Sequence, residues 1–163
     1  MVKMSEYGRQ LKEKQKVKKM AGLRERQFHS YYMKASKKKV ATGTLLLSMI
    51  ERRIENIVFQ LGFTSSKRQA RQLVVHSHIR VNGSIVNRPS YQVRVGDSVS
   101  LSGKAFEFKT VKDAIEKTKQ RNDVPGYLQM DANWKVGTVV ALPAREDISI
   151  PAEEQLIVEL YSK

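Results

Sequence analysis

Asn82-Gly83 stands between two short alternating runs, Ile79-Arg80-Val81 and Ser84-Ile85-Val86, and this pair constrains the fold more than any other feature of the chain. Tight hairpin turns place central residues at φ > 0, which Asn and Gly tolerate, so the pattern dictates an antiparallel hairpin. Just upstream, TSSKRQARQLVVHSH begins with hydroxyl residues and reads as a short helix. Ser65 or Ser66 is the candidate cap, and Ala70, Leu73 and Val74 form the stripe for burial. Arg68, Arg71 and Gln72 fall on the far side, with His76 next to them. Beyond Pro89, Tyr91 to Val95 and Ser98 to Leu101 read as further strands around Gly96-Asp97. The expected unit is a small antiparallel sheet packed on two helices.

The segments on either side are helical in pattern. Residues 5 to 21 read as a helix ended by Gly22, which supplies the left-handed residue common just past a helix C-terminus. Arg9, Lys12, Lys16 and Lys19 fall within one sector of about 80°, and Tyr7, Leu11 and Val17 lie roughly opposite as the packing face. A second helix is expected from Arg24 to about Ser36, with Phe28, Tyr31, Tyr32 and Ala35 as core rather than as base-stacking platforms. A long third helix is expected from Thr42-Gly43-Thr44 to Gly62, its two halves belonging to two cores. Residues 110 to 121 form a short mixed-charge helix, Asn122 to Gly126 a linker, and Trp134 to Leu142 a hairpin turning at Gly137. Pro151 suits the first position of a last helix, whose Leu156, Ile157, Leu160 and Tyr161 make an apolar face expected to contact another protein. The fold class is α+β. A helical domain (1–50 and 126–163) carries an inserted module of helices and a small antiparallel sheet (51–125).

Charge narrows the partner. Thirty Lys and Arg against sixteen Asp and Glu give a net +14, and a polyanion is the natural partner of such a field. The surplus is uneven, +10 over residues 1–40 and −3 over 126–163, which argues against lysine dispersed for solubility. The first helix also lacks interleaved acids at i,i+4, as a merely solvated charged face would have. With no cysteine, disulfides and thiolate metal sites are excluded. The opening MVKMSEYGRQ has no apolar stretch of signal-peptide length, and no eighteen apolar residues run together, so a cytoplasmic protein is expected. The single Trp lies far from the basic runs, which disfavours a membrane surface.

The block KRQARQLVVHSHIRVNG carries the chemistry. Arginine forks suit phosphate oxygens, and Gln, Asn and neutral His reach ribose hydroxyls or base edges. The candidate contacts there are Lys67, Arg68, Arg71, Gln72, His76, His78, Arg80 and Asn82, and on the first helix Arg9, Lys12, Lys16 and Lys19. Aromatics interleaved with these residues are missing, so structured RNA is preferred to single strands. The pair His76 and His78 invites a metal reading, but without Cys or a third His nearby no metal is expected. Glu146-Asp147 and Glu153-Glu154 lack any accompanying catalytic motif and read as solvated or helix-capping acids. No enzyme, no cofactor and no small-molecule substrate is expected.

Four blocks, SEYGRQLKEKQKVKKMAGLRERQF, LLSMIERRIENIVFQLGF, SSKRQARQLVVHSHIRVNGSIVNRPSYQVRVGD and EEQLIVELYSK, resemble those of the bacterial-type fourth protein of the small ribosomal subunit, in its order. The helix-and-hairpin module alone recurs in pseudouridine synthases, a tyrosyl-tRNA synthetase tail and small stress proteins; four blocks in order are specific. The resemblance implies a primary binder of small-subunit rRNA near a multi-helix junction that helps organise assembly. It further implies contact with the fifth small-subunit protein, a place near the messenger entry path and an influence on translational fidelity. Arg53, Ser66, Arg68, Arg71, Gln72, His76 and His78 match motif positions that touch RNA in the family. Many members carry about forty further N-terminal residues, often with a Cys-rich zinc site, and this chain starts after that point. Ser77 stands where the family usually has Gly; at φ > 0 it costs on the order of 1 kcal/mol.

Overall fold

The structure is a computed structural model and describes residues 3–148 and 150–162. In chain order the helices are α1 (Glu6–Ala21), α2 (Glu25–Ser36), α3 (Thr42–Glu51), α4 (Ile54–Gln60), α5 (Lys67–Val75), α6 (Gly103–Phe106), α7 (Lys109–Arg121) and α8 (Glu154–Tyr161). The strands are β1 (Ile79–Val81), β2 (Ser84–Ile85), β3 (Ser98–Leu101), β4 (Leu128–Met130) and β5 (Val136–Val139). Two compact units divide the chain, Met1–Ile50 with Ile148–Lys163, and Glu51–Asp147.

In the helical unit, Ser5 Oγ accepts the Gly8 N–H at 3.1 Å and starts α1. Gly22, at φ 67°, ends it. The buried face of α1 is Gln10, Lys14, Val17 and Ala21, whereas Tyr7, expected to pack, is 56% exposed. The apolar core gathers Val17 from α1, Phe28, Tyr31, Tyr32 and Ala35 from α2, Leu46, Leu47 and Ile50 from α3, and Ile157 from α8. Burying Lys14 requires a partner, and its Nζ donates to Glu25 Oε1 at 3.0 Å. Lys18 and the Tyr161 hydroxyl donate to the same carboxylate, at 3.1 and 3.0 Å. Partial burial alone would raise the Glu25 carboxyl; the hydrogen bonds from Lys14, Lys18 and Tyr161 outweigh it and hold it below the usual carboxylate value. The last helix starts at Glu154 rather than at Pro151.

In the second unit the expected long helix is broken. Arg53 is extended (φ −62°, ψ 137°) and forms an isolated bridge with Gln92. Around the break Val93 N donates to Arg52 O at 3.0 Å and Ile54 N to Tyr91 O at 2.8 Å. Segment 91–95, expected as a strand, spends its backbone groups on this kink instead. The sheet is antiparallel throughout, in the order β2-β1-β3-β5-β4. Asn82 and Gly83 turn the first hairpin at φ 53° and 85°, as the paired left-handed residues of a type I′ turn require.

The strands β4 and β5, in the segment expected to return to the helical domain, instead extend this sheet, β5 pairing with β3 through Ser98↔Thr138, Val99↔Gly137 and Ser100↔Val136. Gly137 is therefore not a turn residue. It lies within β5, where a Cβ would collide with the Leu61 side chain. Tyr127, at the entry to β4, donates its hydroxyl to Glu51 Oε1 at 3.0 Å; burial, then the Glu51 charge, pushes the phenol well above its ordinary value. Ile57, Leu61, Phe63, Ala70, Leu73, Val74, Val99 and Val139 fill the core between helices and sheet.

Candidate nucleic-acid interface

Local chemistry builds α5 as a rigid platform. Ser66 Oγ accepts the Gln69 N–H at 3.2 Å, while Gln69 Oε1 accepts from the Ser65 amide at 3.2 Å and its hydroxyl at 2.8 Å. This is a reciprocal cap in the manner of a capping box, one residue longer. Ser66 is therefore occupied as the N-cap. Ala70, Leu73 and Val74 are buried, so Arg68, Arg71 and Gln72 are fixed outward, all three exposed; Lys67 is half-buried.

At the other end, Ser77 N donates to Val74 O and His78 N to Leu73 O, both at 3.0 Å. With Ser77 at φ 64° this is a Schellman closure, and the left-handed position suspected from the sequence is real. The closure leaves His76 exposed and turns the chain so that His78 is half-buried. His78 Nδ1 lies 3.2 Å from Ser102 Oγ. Burial, then the charges of Lys104 and His76, lowers the His78 imidazole below its ordinary value, so it is neutral at neutral pH.

The remaining candidates divide. Arg80 is exposed on β1. Asn82 is spoken for: its Nδ2 donates to Asp97 Oδ1 at 3.0 Å and its Oδ1 accepts the Ser98 amide at 3.0 Å. It ties two turns together. Arg53 is not on the surface. Its side chain is 2% exposed and its Nε donates to Glu55 Oε1 at 3.1 Å; the other Glu55 oxygen lies 3.9 Å from Arg71 Nε. The role for Arg53 is therefore to seat Glu55, which faces Arg71.

On α1, Lys12 and Lys19 are exposed. Arg9 pairs with Glu6 at 3.5 Å and Glu153 at 3.8 Å, and Lys16 with Glu13 at 2.8 Å. The first helix does carry interleaved acids: Glu6 and Glu13 pair with Arg9 and Lys16 at i,i+3, and Glu13 also stands four residues after Arg9, although exposed pairs of this kind are worth little. The apolar set of α8 is turned into its own unit: Leu156 and Ile157 are buried, and Tyr161 stacks on Tyr32 at 4.6 Å. Leu160 is half-buried. The expected protein-contact face is mostly this unit's own core.

A further cation stands near His78. Lys104, whose charge is felt at His78, is carried by α6, a four-residue helix capped by Ser102 Oγ on the Ala105 amide at 3.2 Å. Its only sequence signal was the Ser102 cap, since one turn is too short for a periodicity. Among the described residues no group of three or more His, Cys, Asp or Glu is placed to hold a metal ion.

Residues 52–99, which hold this platform and hairpin, match the family model of the S4 domain, and residues 1–51 match that of the ribosomal protein S4/S9 N-terminal domain. Two domain models in tandem account for most of the chain. Over 162 residues it is 49% identical to small ribosomal subunit protein uS4 of Desulforapulum autotrophicum, covering 99% of this chain and 77% of that one. The chain belongs to the uS4 family. The uS4 proteins of Anaeromyxobacter sp. (strain Fw109-5) and Caldicellulosiruptor bescii are each 50% identical, with the same coverage of both chains. Family membership extends through β4, β5 and α8, beyond the two matched domains. The exposed Arg68, Arg71, Gln72 and His76 lie wholly within the segment matched as the S4 domain.

Proposed function

We propose that this chain is a structural constituent of the small ribosomal subunit that binds structured small-subunit rRNA, chiefly through the unit Glu51–Asp147. The observation that carries the reading is the outward face of α5: two arginines one turn apart, with Gln72 and His76, held by caps at both ends. Forks fixed before RNA arrives lose little entropy on binding. Lys67, Lys104 and Arg80 add charge in the same unit, and the exposed Lys12 and Lys19 of α1 add phosphate contacts from the helical unit. The role is architectural, not catalytic, and places the protein on cytoplasmic ribosomes. Family membership also supports finer roles: early attachment at a multi-helix junction, contact with the fifth small-subunit protein, a position near the messenger path and an effect on decoding accuracy.

Filter binding to small-subunit rRNA over a salt series tests the reading, because neutralising several phosphates releases counterions and gives a steep negative slope of log affinity on log salt. Affinity that stays flat from low to moderate salt sinks it. Co-sedimentation with the small subunit through high-salt sucrose gradients is the second expected result.

A further inference from the structure

Between α5 and the first turn of α7 lies a cavity of about 330 Å³, at the small end of the range of about 300–1,000 Å³ typical of ligand pockets. Phe63, fully buried, lies at its base. His78 and Phe108 form a wall, their rings edge to face at 5.2 Å and 90°. Gln69, Gln72 and His76 of α5 line it beside this wall. Its lining holds no carboxylate, ammonium or guanidinium group.

That lining is wrong for a phosphate or a carboxylate. Aromatic walls edged by amide and imidazole groups suit a neutral planar ring with hydrogen-bonding edges. We propose that this cavity receives one everted nucleobase of the bound RNA. The inference rests on the RNA-binding reading above and adds to it a site the arginine face does not use. His78, neutral at neutral pH because burial and the neighbouring charges lower its imidazole, presents a flat face without charge. Gln69 Oε1 is committed to Ser65, so its Nε2 carries the donor capacity. Gln72 directly follows Arg71 in the chain, so the arginine that holds backbone phosphate is next to the residue that reads the ring.

Two further points define the occupant. The volume suits one ring system, with ribose and phosphate remaining outside. Taking a base out of a regular duplex is costly, so the base comes from a bulge, loop or junction. Aromatics for stacking were missing from the sequence around α5; the fold brings the half-buried Phe108 to it from further along the chain.

The test probes small-subunit rRNA bound to the full chain, with dimethyl sulfate and a carbodiimide reading base edges and acylation reading 2′-hydroxyls. The wild-type complex is expected to show one nucleotide with a protected base edge and enhanced ribose acylation. Thr110, exposed in the first turn of α7 and lining the cavity, is replaced by Trp to plug it. Thr110→Trp should restore reactivity at that base, keep the rest of the footprint and weaken binding by about 5- to 150-fold, the worth of one base–aromatic stack.

Circular dichroism checks the fold. If Thr110→Trp unfolds, Phe108→Leu, which removes the ring from the wall and lies outside the arginine face of α5, carries the test, with loss of the single-base protection and an otherwise intact footprint. A wild-type footprint without that signature, or a folded plugged variant that matches wild type, overturns the base pocket and leaves the RNA reading standing. No footprint anywhere on the rRNA overturns both.

Discussion

Arg53 and Arg71 look interchangeable in sequence, and the structure gives them opposite signatures under the same substitution. Arg53 is 2% exposed and paired at 3.1 Å with Glu55, itself only 7% exposed. Removing one partner of a buried pair leaves the other charge stranded, which costs about 3–5 kcal/mol. In a unit of this size each 1 kcal/mol moves the melting temperature by about 4–8 °C, so Arg53→Ala should melt at least about 12 °C lower. Arg71 is 54% exposed and sits 3.9 Å from the same Glu55; a pair so open contributes about 0–1 kcal/mol to stability.

RNA affinity reverses the order. Loss of a fork from a charge-assisted phosphate contact costs roughly 1–3 kcal/mol, so Arg71→Ala should bind about 5- to 150-fold more weakly while melting near wild type. Arg53→Ala, assayed in the cold where it is still folded, should stay within about threefold of wild type, under 1 kcal/mol. Arg53→Met with Glu55→Gln removes both buried charges and should recover much of the lost stability. Thermal melts by circular dichroism and filter binding at fixed salt decide it. An Arg53→Ala that melts like wild type yet loses RNA affinity would mean that Arg53 leaves its niche to touch RNA, and the burial argument would be wrong.

Single alanine substitutions of Lys37, Lys38 or Lys39, all exposed just after α2, should each cost under about 1 kcal/mol in RNA binding, against roughly 1–3 for Arg68→Ala; equal costs in filter binding would relocate the interface. Ile157→Ala should destabilise the helical unit by about 2–5 kcal/mol, because the side chain is fully buried, and should leave the RNA affinity of the folded protein unchanged. The Glu25 carboxyl is held below its ordinary value in the folded state by the hydrogen bonds from Lys14, Lys18 and Tyr161, which outweigh its partial burial, so the unfolded chain takes up its proton first on acidification. Its stabilisation is complete above the unfolded value and is lost as pH falls through the folded one. Glu25→Gln should therefore flatten the acid limb of a melting-temperature profile; a limb as steep as wild type would count against the Lys14–Glu25–Tyr161 network.

Local features were legible in the sequence where one or two residues determine the backbone. Gly22 ended α1, Asn82-Gly83 made its turn, and the stripe Ala70, Leu73, Val74 set the inner face of α5. What failed depended on partners distant in sequence. Apolar residues keep helical spacing from Leu45 to Leu61, yet the helix breaks at Arg53 because Tyr91 and Val93 compete for the backbone groups there. Gly137 looked like a turn residue, since nothing local reveals that Leu61 occupies the space of its missing side chain. Arg53 and Asn82 carry chemistry suited to RNA, but Glu55 in one case and Asp97 with Ser98 in the other take that chemistry for the fold. The cavity beside α5 combines Phe63, His78 and Phe108 from three segments, and no spacing rule joins them.

Ser77 offers a test of how the platform is held at its far end. It sits at φ 64°, in the left-handed region that costs an L side chain roughly 1–2 kcal/mol and costs glycine nothing. Two bonds pay for that geometry, Ser77 N to Val74 O and His78 N to Leu73 O, each 3.0 Å. Ser77→Gly keeps both and removes the strain, while the freer unfolded chain takes back about 0.5–1 kcal/mol. The net expectation is a gain of up to about 1.5 kcal/mol, or up to about 12 °C in melting temperature for a unit of this size. RNA affinity should not move, because His76 and His78 keep the positions the closure gives them. Ser77→Val is the opposing control: a β-branched residue fits the left-handed region worst, so it should lose stability and, by loosening the closure, RNA affinity as well. If Ser77→Gly melts lower than wild type, the serine hydroxyl stabilises the closure by more than its backbone strain costs, and the strain argument is wrong.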